Sequence, residues 1–197
     1  MTTPAPTASA RSSRRAKILP WALTLVLLAG AWLLNAAALP DSAPEQPFVT
    51  TTSVDSVATA GNLSAKVTAV RAARSITDPQ GWTEDGTWLV VELDAAAVRS
   101  QYGSSLATAE LTIGDRTFSA TRRAQTMRDS GALVPGVMRH GALAFELPEG
   151  ALKGTGTLRL ANIGVVAGNA VIELPVDLDD VPVEDAITLP DTDWADR

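Results

Sequence analysis

The sequence predicts one membrane-spanning helix followed by an all-β domain, an antiparallel β-sandwich of about seven to nine strands. Three observations carry this. Residues 18–39 form a 22-residue run without a charge. From Val54 onward apolar residues recur with period two, the spacing that turns one face of a strand toward a core. Turn residues break that alternation every 8–15 positions, the rhythm of short strands in two packed sheets.

Taking the elements in order, residues 1–17 are expected to be a cytoplasmic tail whose Thr/Pro/Ala/Ser-rich start is disordered. Residues 18–39 are the expected transmembrane helix, a signal anchor. At about 1.5 Å per residue they cover roughly 33 Å, enough to cross the hydrocarbon core. Pro20 falls in the first turn of that run, where a missing N–H costs no helical bond. Trp21 and Trp32 lie toward its two ends, where indole rings favour the interface. Arg11, Arg14, Arg15 and Lys17 precede the run and no acid does. That bias places the N-terminus in the cytoplasm and the remainder outside, at the cell membrane as a single-pass protein. The alternative is a signal peptide cleaved after Ala38, since Ala36 and Ala38 meet the small-residue requirement; the run exceeds the usual length of about 7–15 residues for that role. Ser13-Arg14-Arg15 partly fits a twin-arginine signal, but Lys17-Ile18 stands where an aromatic and a leucine are expected. Translocation follows from every one of these readings.

Residues 40–53 contain three prolines and no apolar periodicity, and read as an extended stalk. The sandwich is expected over 54–176. Leu63, Ala65, Val67 and Ala69 alternate with polar residues as a half-buried strand. Leu89, Val91, Leu93 and Ala95 do the same, and Trp88 and Val90 suggest that both faces are covered where that strand begins. Between these strands, 78–87 reads as a polar loop. Residues 106–113 run into Gly114-Asp115 and return through 116–121, a two-residue hairpin of type I′ or II′. The stretch 122–131 is the longest polar loop. A turn at 133–136 then leads to Leu143, Phe145 and Leu147, and Pro148 ends the strand because it cannot donate to a ladder. Leu158 with Leu160, and Ala170 with Ile172 and Leu174, supply two more strands. Only 98–109 is ambiguous. Residues 177–197 form an acidic tail whose apolar residues, Val181, Val183, Ile187 and Leu189, offer part of it as an edge.

The turn Leu133-Val134-Pro135-Gly136, followed by Gly141, Phe145 and Pro148, resembles the Leu-x-Pro-Gly … Gly-x-x-x-Phe-x-x-Pro stretch of a domain-of-unknown-function family. Those are Ig-like extracytoplasmic modules of Gram-positive bacteria, similar in fold to a secreted mycobacterial antigen. The strand around Leu89 and the Gly114-Asp115 hairpin with Phe118 fall in the family's order, and the resemblance covers roughly 54–176. Asp94 stands where an asparagine is common, and there is no lipobox cysteine. The resemblance implies an Ig-like fold and an extracytoplasmic location, and it brings no catalytic residues.

Composition narrows the function. After residue 39 the chain holds 12 basic and 22 acidic residues, so a nucleic-acid partner is disfavoured by like-charge repulsion. With no cysteine and one histidine, thiolate chemistry and multi-histidine zinc sites are excluded within one chain. His140 as a general base would need a nucleophile and an orienting carboxylate beside it. No Gly-x-Ser-x-Gly elbow is present, and a turn residue is the expected role. Asp177, Asp179 and Asp180 offer oxygens to a hard cation but lack the glycine and distal glutamate of a calcium loop, so no metal or cofactor is expected.

Four residues remain as partner-binding candidates. Trp82 reads equally as an exposed recognition anchor or as core. Arg122, Arg123 and Arg128 make a basic cluster that suits an anionic polymer or, alternatively, pairs with the domain's own carboxylates. The expected function is a non-catalytic, membrane-anchored binding or envelope-accessory module. Its expected partners are the lipid bilayer through 18–39 and an envelope protein or anionic cell-wall polymer. The alternative is a structural or assembly subunit of a membrane complex, docking through Gly30, Ala31 and Asn35 of its helix.

Overall fold

The structure, a computed structural model, describes residues 12–37, 46–129, 131–164 and 166–194. The chain divides into two compact units, Met1–Pro44 and Glu45–Arg197. In the first, α1 (Ser12–Ala37) is one continuous helix containing Pro20. Thr24 Oγ1 donates to the Pro20 carbonyl at 2.9 Å. Its side chains are described from Pro20 to Ala36, so both ends of the expected span (18–19 and 37–39) lie outside them. Among the described residues no helix is long and apolar enough to cross a membrane.

In the second unit the alternating sequence folds into two sheets. One runs in the order β1 (Phe48–Thr51), β9 (Ala170–Asp177), β8 (Thr155–Ala161), β5 (Thr108–Ile113), β6 (Arg116–Ser119). The other is built on β3 (Leu63–Thr77), β4 (Thr83–Ala97) and β7 (Arg139–Leu147). β2 (Val57–Ala60), β10 (Val183–Glu184) and β11 (Ile187–Thr188) line the outer edge of β3, and β12 (Asp193–Trp194) pairs with β7. The inward rows meet between the sheets. Leu63, Leu89, Leu93, Leu143 and Phe145 of one pack against Leu111, Leu158 and Leu174 of the other, all at 1% exposure or less. Fully burying side chains of this size stabilises by about 1.5–3 kcal/mol each. This is a β-sandwich.

Two expected turns form as their residues require. Gly114 takes φ 60° while Asp115 stays at negative φ, the pattern of a type II′ hairpin. Pro135 and Gly136 (φ 71°) occupy the central positions of a type II turn, closed by Val137 N to Val134 O at 3.3 Å.

Several boundaries move. The sandwich is not wholly antiparallel: β1 pairs parallel with β9, and β10 and β11 pair parallel with β3. Residues 48–51 of the expected stalk are therefore sheet, and three short strands lie in the expected tail. These pairings join segments more than a hundred residues apart, and local alternation cannot encode them. The expected loop 78–87 contracts to 78–82, because Thr83, Glu84 and Asp85 face Thr77, Ile76 and Ser75 in the ladder. The β3–β4 hairpin extends beyond the main core there, and apart from Ile76, which packs in a second cluster, polar residues form the ladder. The polar stretch 122–131 is anchored, with Ala124, Thr126 and Met127 buried and a 3₁₀ turn at Met127–Asp129.

The C-terminal segment adds a third layer. Ile187 and Leu189, each 2% exposed, join Ala73, Ile76, Trp88, Val90, Ala124, Ala142 and Ala144 in a second apolar cluster. Trp88, Val90, Ala142 and Ala144 alternate with the inward row, so this cluster lies on the face of the β3–β4–β7 sheet turned away from the main core. Arg71 ties the segment down, bonding Glu184 at 3.1 Å and Glu92 on β4.

Candidate functional site

Of the four residues predicted from sequence, Trp82 and Arg123 come together, on the outer face of the β3–β4 hairpin. The turn 78–82 is closed by its own aspartate. Asp78 Oδ1 accepts from the Gln80 and Trp82 amides at 3.0 and 2.9 Å, an Asx-type arrangement suited to a residue preceding proline. Its other oxygen, Oδ2, accepts from the Gln125 amide at 2.9 Å. One buried carboxylate thus joins two stretches 47 residues apart. The amide of Gln125 above all, then those of Trp82 and Gln80, holds this carboxyl below the ordinary carboxylate range against an opposing effect of burial.

Trp82 emerges from this turn half-buried, edge-on to the fully buried Trp88 with ring centroids 6.3 Å apart and an interplanar angle of 87°. The Arg123 guanidinium carbon sits 5.7 Å from the Trp82 ring and 5.9 Å from the Trp88 ring. Its nitrogens reach Glu84 at 3.5 Å and Glu146. Arg123 is therefore neutralised within the fold, the alternative weighed for the basic cluster. Arg128 is likewise structural: its Nη1 and Nη2 donate to the carbonyls of Ala120 (3.0 Å) and Ala107 (3.2 Å). Burial, then the neighbouring Arg122, lowers the Arg128 pKa, with Asp129 and Glu110 opposing. Arg122 is exposed and makes no hydrogen bond or ion pair among the described residues. The rim at Trp82 is thus an aromatic on a base stiffened by Asp78, and Arg122, nearby in the chain, is the one of the three arginines left unpaired among the described residues.

His140 gains a partner that sequence reasoning missed. Asp94 lies directly opposite it across the β4–β7 ladder, with Oδ1 2.8 Å from His140 Nδ1. On the next strand Lys66 faces Asp94 and pairs with Asp55 at 3.2 Å. The four form a polar row across the outer face. An orienting carboxylate is present, but no hydroxyl bonds the second ring nitrogen among the described residues. Asp78 carried a legible signal as an aspartate opening a Pro/Gly turn; the Asp94–His140 contact required the register. The acidic tail cluster builds turns: Asp177 Oδ1 accepts from the Asp179 amide at 3.1 Å, and Asp179 Oδ2 from the Gly154 amide at 3.0 Å. Among the described residues no three His, Asp or Glu side chains gather as a metal site.

No protein-family model matches this chain, and no curated protein matches it. Among solved structures, an uncharacterised β-sandwich protein from Clostridium difficile 630 is similar at a TM-score of 0.48 and 9% identity, over 71% of this chain and all of that one.

Proposed function

We propose that the chain is a membrane-anchored, extracytoplasmic module of Ig-like type that binds an envelope protein or anionic wall polymer without catalysis. The anchoring reading is supported by the exposed surface of α1. Leu25, Val26, Leu27 and Leu28 are four consecutive exposed apolar residues, which at about 100° apiece encircle the helix. A helix apolar all round has nothing to gain from water. The bases Arg11, Arg14, Arg15 and Lys17 before it support a cytoplasmic N-terminus.

The binding reading is carried by one observation: the Asp78 carboxylate joins the turn 78–82 to the amide of Gln125, and this anchored rim presents the half-buried Trp82, while Arg122 is exposed and unpaired among the described residues three positions before Gln125. A fixed aromatic loses little entropy on engaging a partner, and an exposed arginine on the stretch it is tied to suits an anionic group. Crosslinking and recovery from intact membranes tests it, with wild type compared to Trp82→Ala and Arg122→Ala. A specific partner lost in both variants is expected. Recovery of the same partner from wild type and both variants refutes the assignment of this rim.

The runner-up, an assembly subunit docking through its helix, is favoured by Gly30, around which no atom lies within 4 Å of an added Cβ. Replacing 18–39 by polyleucine separates the two readings: the binding module keeps its partner and the docking subunit loses it.

A further inference from the structure

At the other end of β3 from Trp82, loops of both sheets surround an open cleft of about 400 Å³, a size within the roughly 300–1,000 Å³ of small-molecule sites. Gly61 (φ 60°) turns the chain from β2 into β3 and sets Asn62 against the segment that follows β4. Asn62 Oδ1 accepts from the amides of Arg99 at 2.7 Å and Ser100 at 3.2 Å, and its Nδ2 donates to Ser100 O at 2.7 Å. Both ends of the Asn62 amide are thus spent on holding the loop that carries Arg99 and Tyr102. The facing wall comes from the other sheet, where the β8–β9 loop supplies Asn162, Ile163 and Asn169. Asn169 Nδ2 donates to Ala167 O at 3.0 Å, and its backbone carbonyl accepts from the Phe48 amide at 2.8 Å.

Asn162 and Arg99 are not spent in this way. Both line the cleft, and neither side chain makes a hydrogen bond or ion pair among the described residues. Two exposed rings adjoin the lining: Tyr102, 86% exposed, precedes Gly103, and Phe48, 73% exposed, lies opposite Ala170 across the β1–β9 ladder. A hydroxyl both donates and accepts. An amide does the same from one rigid plane, and a guanidinium adds a fork of donors. The C–H faces of a pyranose ring carry slight positive charge and suit the negative face of an aromatic ring. Free amide, guanidinium and exposed rings together therefore complement a hydroxyl-rich ring. The apolar lining is limited to Ile163, Ala170 and glycines, too little wall to seat the anchor side chain of a peptide.

We infer that this cleft binds a pyranose unit of a glycan, Asn162 and Arg99 hydrogen-bonding its hydroxyls and Tyr102 and Phe48 packing on its ring. The site is separate from the Trp82 rim and independent of the anchored reading. Its walls are already held by Asn62 and Asn169, so little of the loop backbone has to be ordered when the sugar enters.

Amide chemical shifts test it. The isotopically labelled full chain, kept in a phosphocholine detergent that carries no sugar, is titrated with chitotriose, cellotriose and trigalacturonate. Saturable shifts at Arg99, Tyr102, Gly103 and Asn169 with at least one of these, and none at Gln80 or Trp82, are expected. Arg99→Ala and Asn162→Ala should each weaken that binding about tenfold, and Tyr102→Ala several-fold, with the rest of the spectrum unmoved. Trp82→Ala should bind the sugar as wild type does, which separates this site from the rim. No saturable shift with any of the three sugars overturns the inference, and so does binding that both Arg99→Ala and Asn162→Ala leave intact. Shifts at the cleft with triserine and with no sugar indicate a peptide occupant and overturn the saccharide assignment.

Discussion

Truncating Ile187 to alanine tests whether the C-terminal segment is part of the fold. Ile187 is 2% exposed and packs on the outer face of the sheet against Trp88, Val90 and the alanines of β7. Ile→Ala in a core costs about 2–5 kcal/mol, depending on how far the surroundings collapse into the space. Here the residue sits on a two-residue strand at the margin of a small layer, so the segment can shift inward, and a loss of about 2–3 kcal/mol is expected. Leu158→Ala, between the two sheets and wholly buried, has rigid neighbours on both sides and should cost about 4–5 kcal/mol. Val183→Ala is the control on the same segment: Val183 is 56% exposed, and its change should stay within about 0.5 kcal/mol. Guanidinium unfolding followed by tryptophan fluorescence measures all three, with Trp88 reporting from beneath the segment. If Ile187→Ala costs no more than Val183→Ala, residues 182–192 do not pack on the sheet, and the three-layer description fails.

Two further outcomes follow from the geometry. Asp78→Asn keeps one oxygen for the Trp82 amide but turns an NH₂ toward the Gln125 amide, donor against donor. It should lower the melting temperature and speed hydrogen exchange at Gln125. The Asp78 carboxyl titrates below its ordinary value of 3.8, so its contribution is complete above that pH and disappears as pH falls through the lower folded value. The gap in melting temperature between wild type and Asp78→Asn should therefore be constant near neutrality and close as pH drops below about 3.8; a gap that widens there contradicts the assignment. Gly141→Ala would place a Cβ 2.9 Å from Thr192 Oγ1 and 3.3 Å from Met127 Cβ, which should cost about 1–3 kcal/mol in denaturant unfolding. Adding Thr192→Gly should recover part of that loss.

Much of the sandwich was legible because its signals are local. The Gly114-Asp115 turn, the stop at Pro148 and the alternation through Leu89, Val91 and Leu93 each follow from a few adjacent residues. What escaped depends on distant pairings. Phe48–Thr51 reads as stalk because its partner, β9, lies 122 residues on. Ile187 and Leu189 were legible as a possible edge, and Trp88 and Val90 as a covered outer face, but that the first covers the second depends on a pairing with β3 more than a hundred residues away. The hairpin tip read as a loop because Thr83, Glu84 and Asp85 are polar, and Ile76 opposite them is a single apolar residue too isolated to set a period. At the rim, the sequence offered three arginines without distinguishing them. Burial against carbonyls removes Arg128, two glutamates remove Arg123, and Arg122 is left.

The parallel pairing of β1 has a mechanical consequence. Phe48 is both the point where the chain enters this sheet and the first of four residues laid along β9. Tension drawn along that strand loads the β1–β9 ladder in shear, so its bonds must yield together, whereas an antiparallel strand entered from its far end would open one rung at a time. A pull on the chain ahead of Phe48 is thus resisted at the margin of the sheet before it reaches the leucines between the layers.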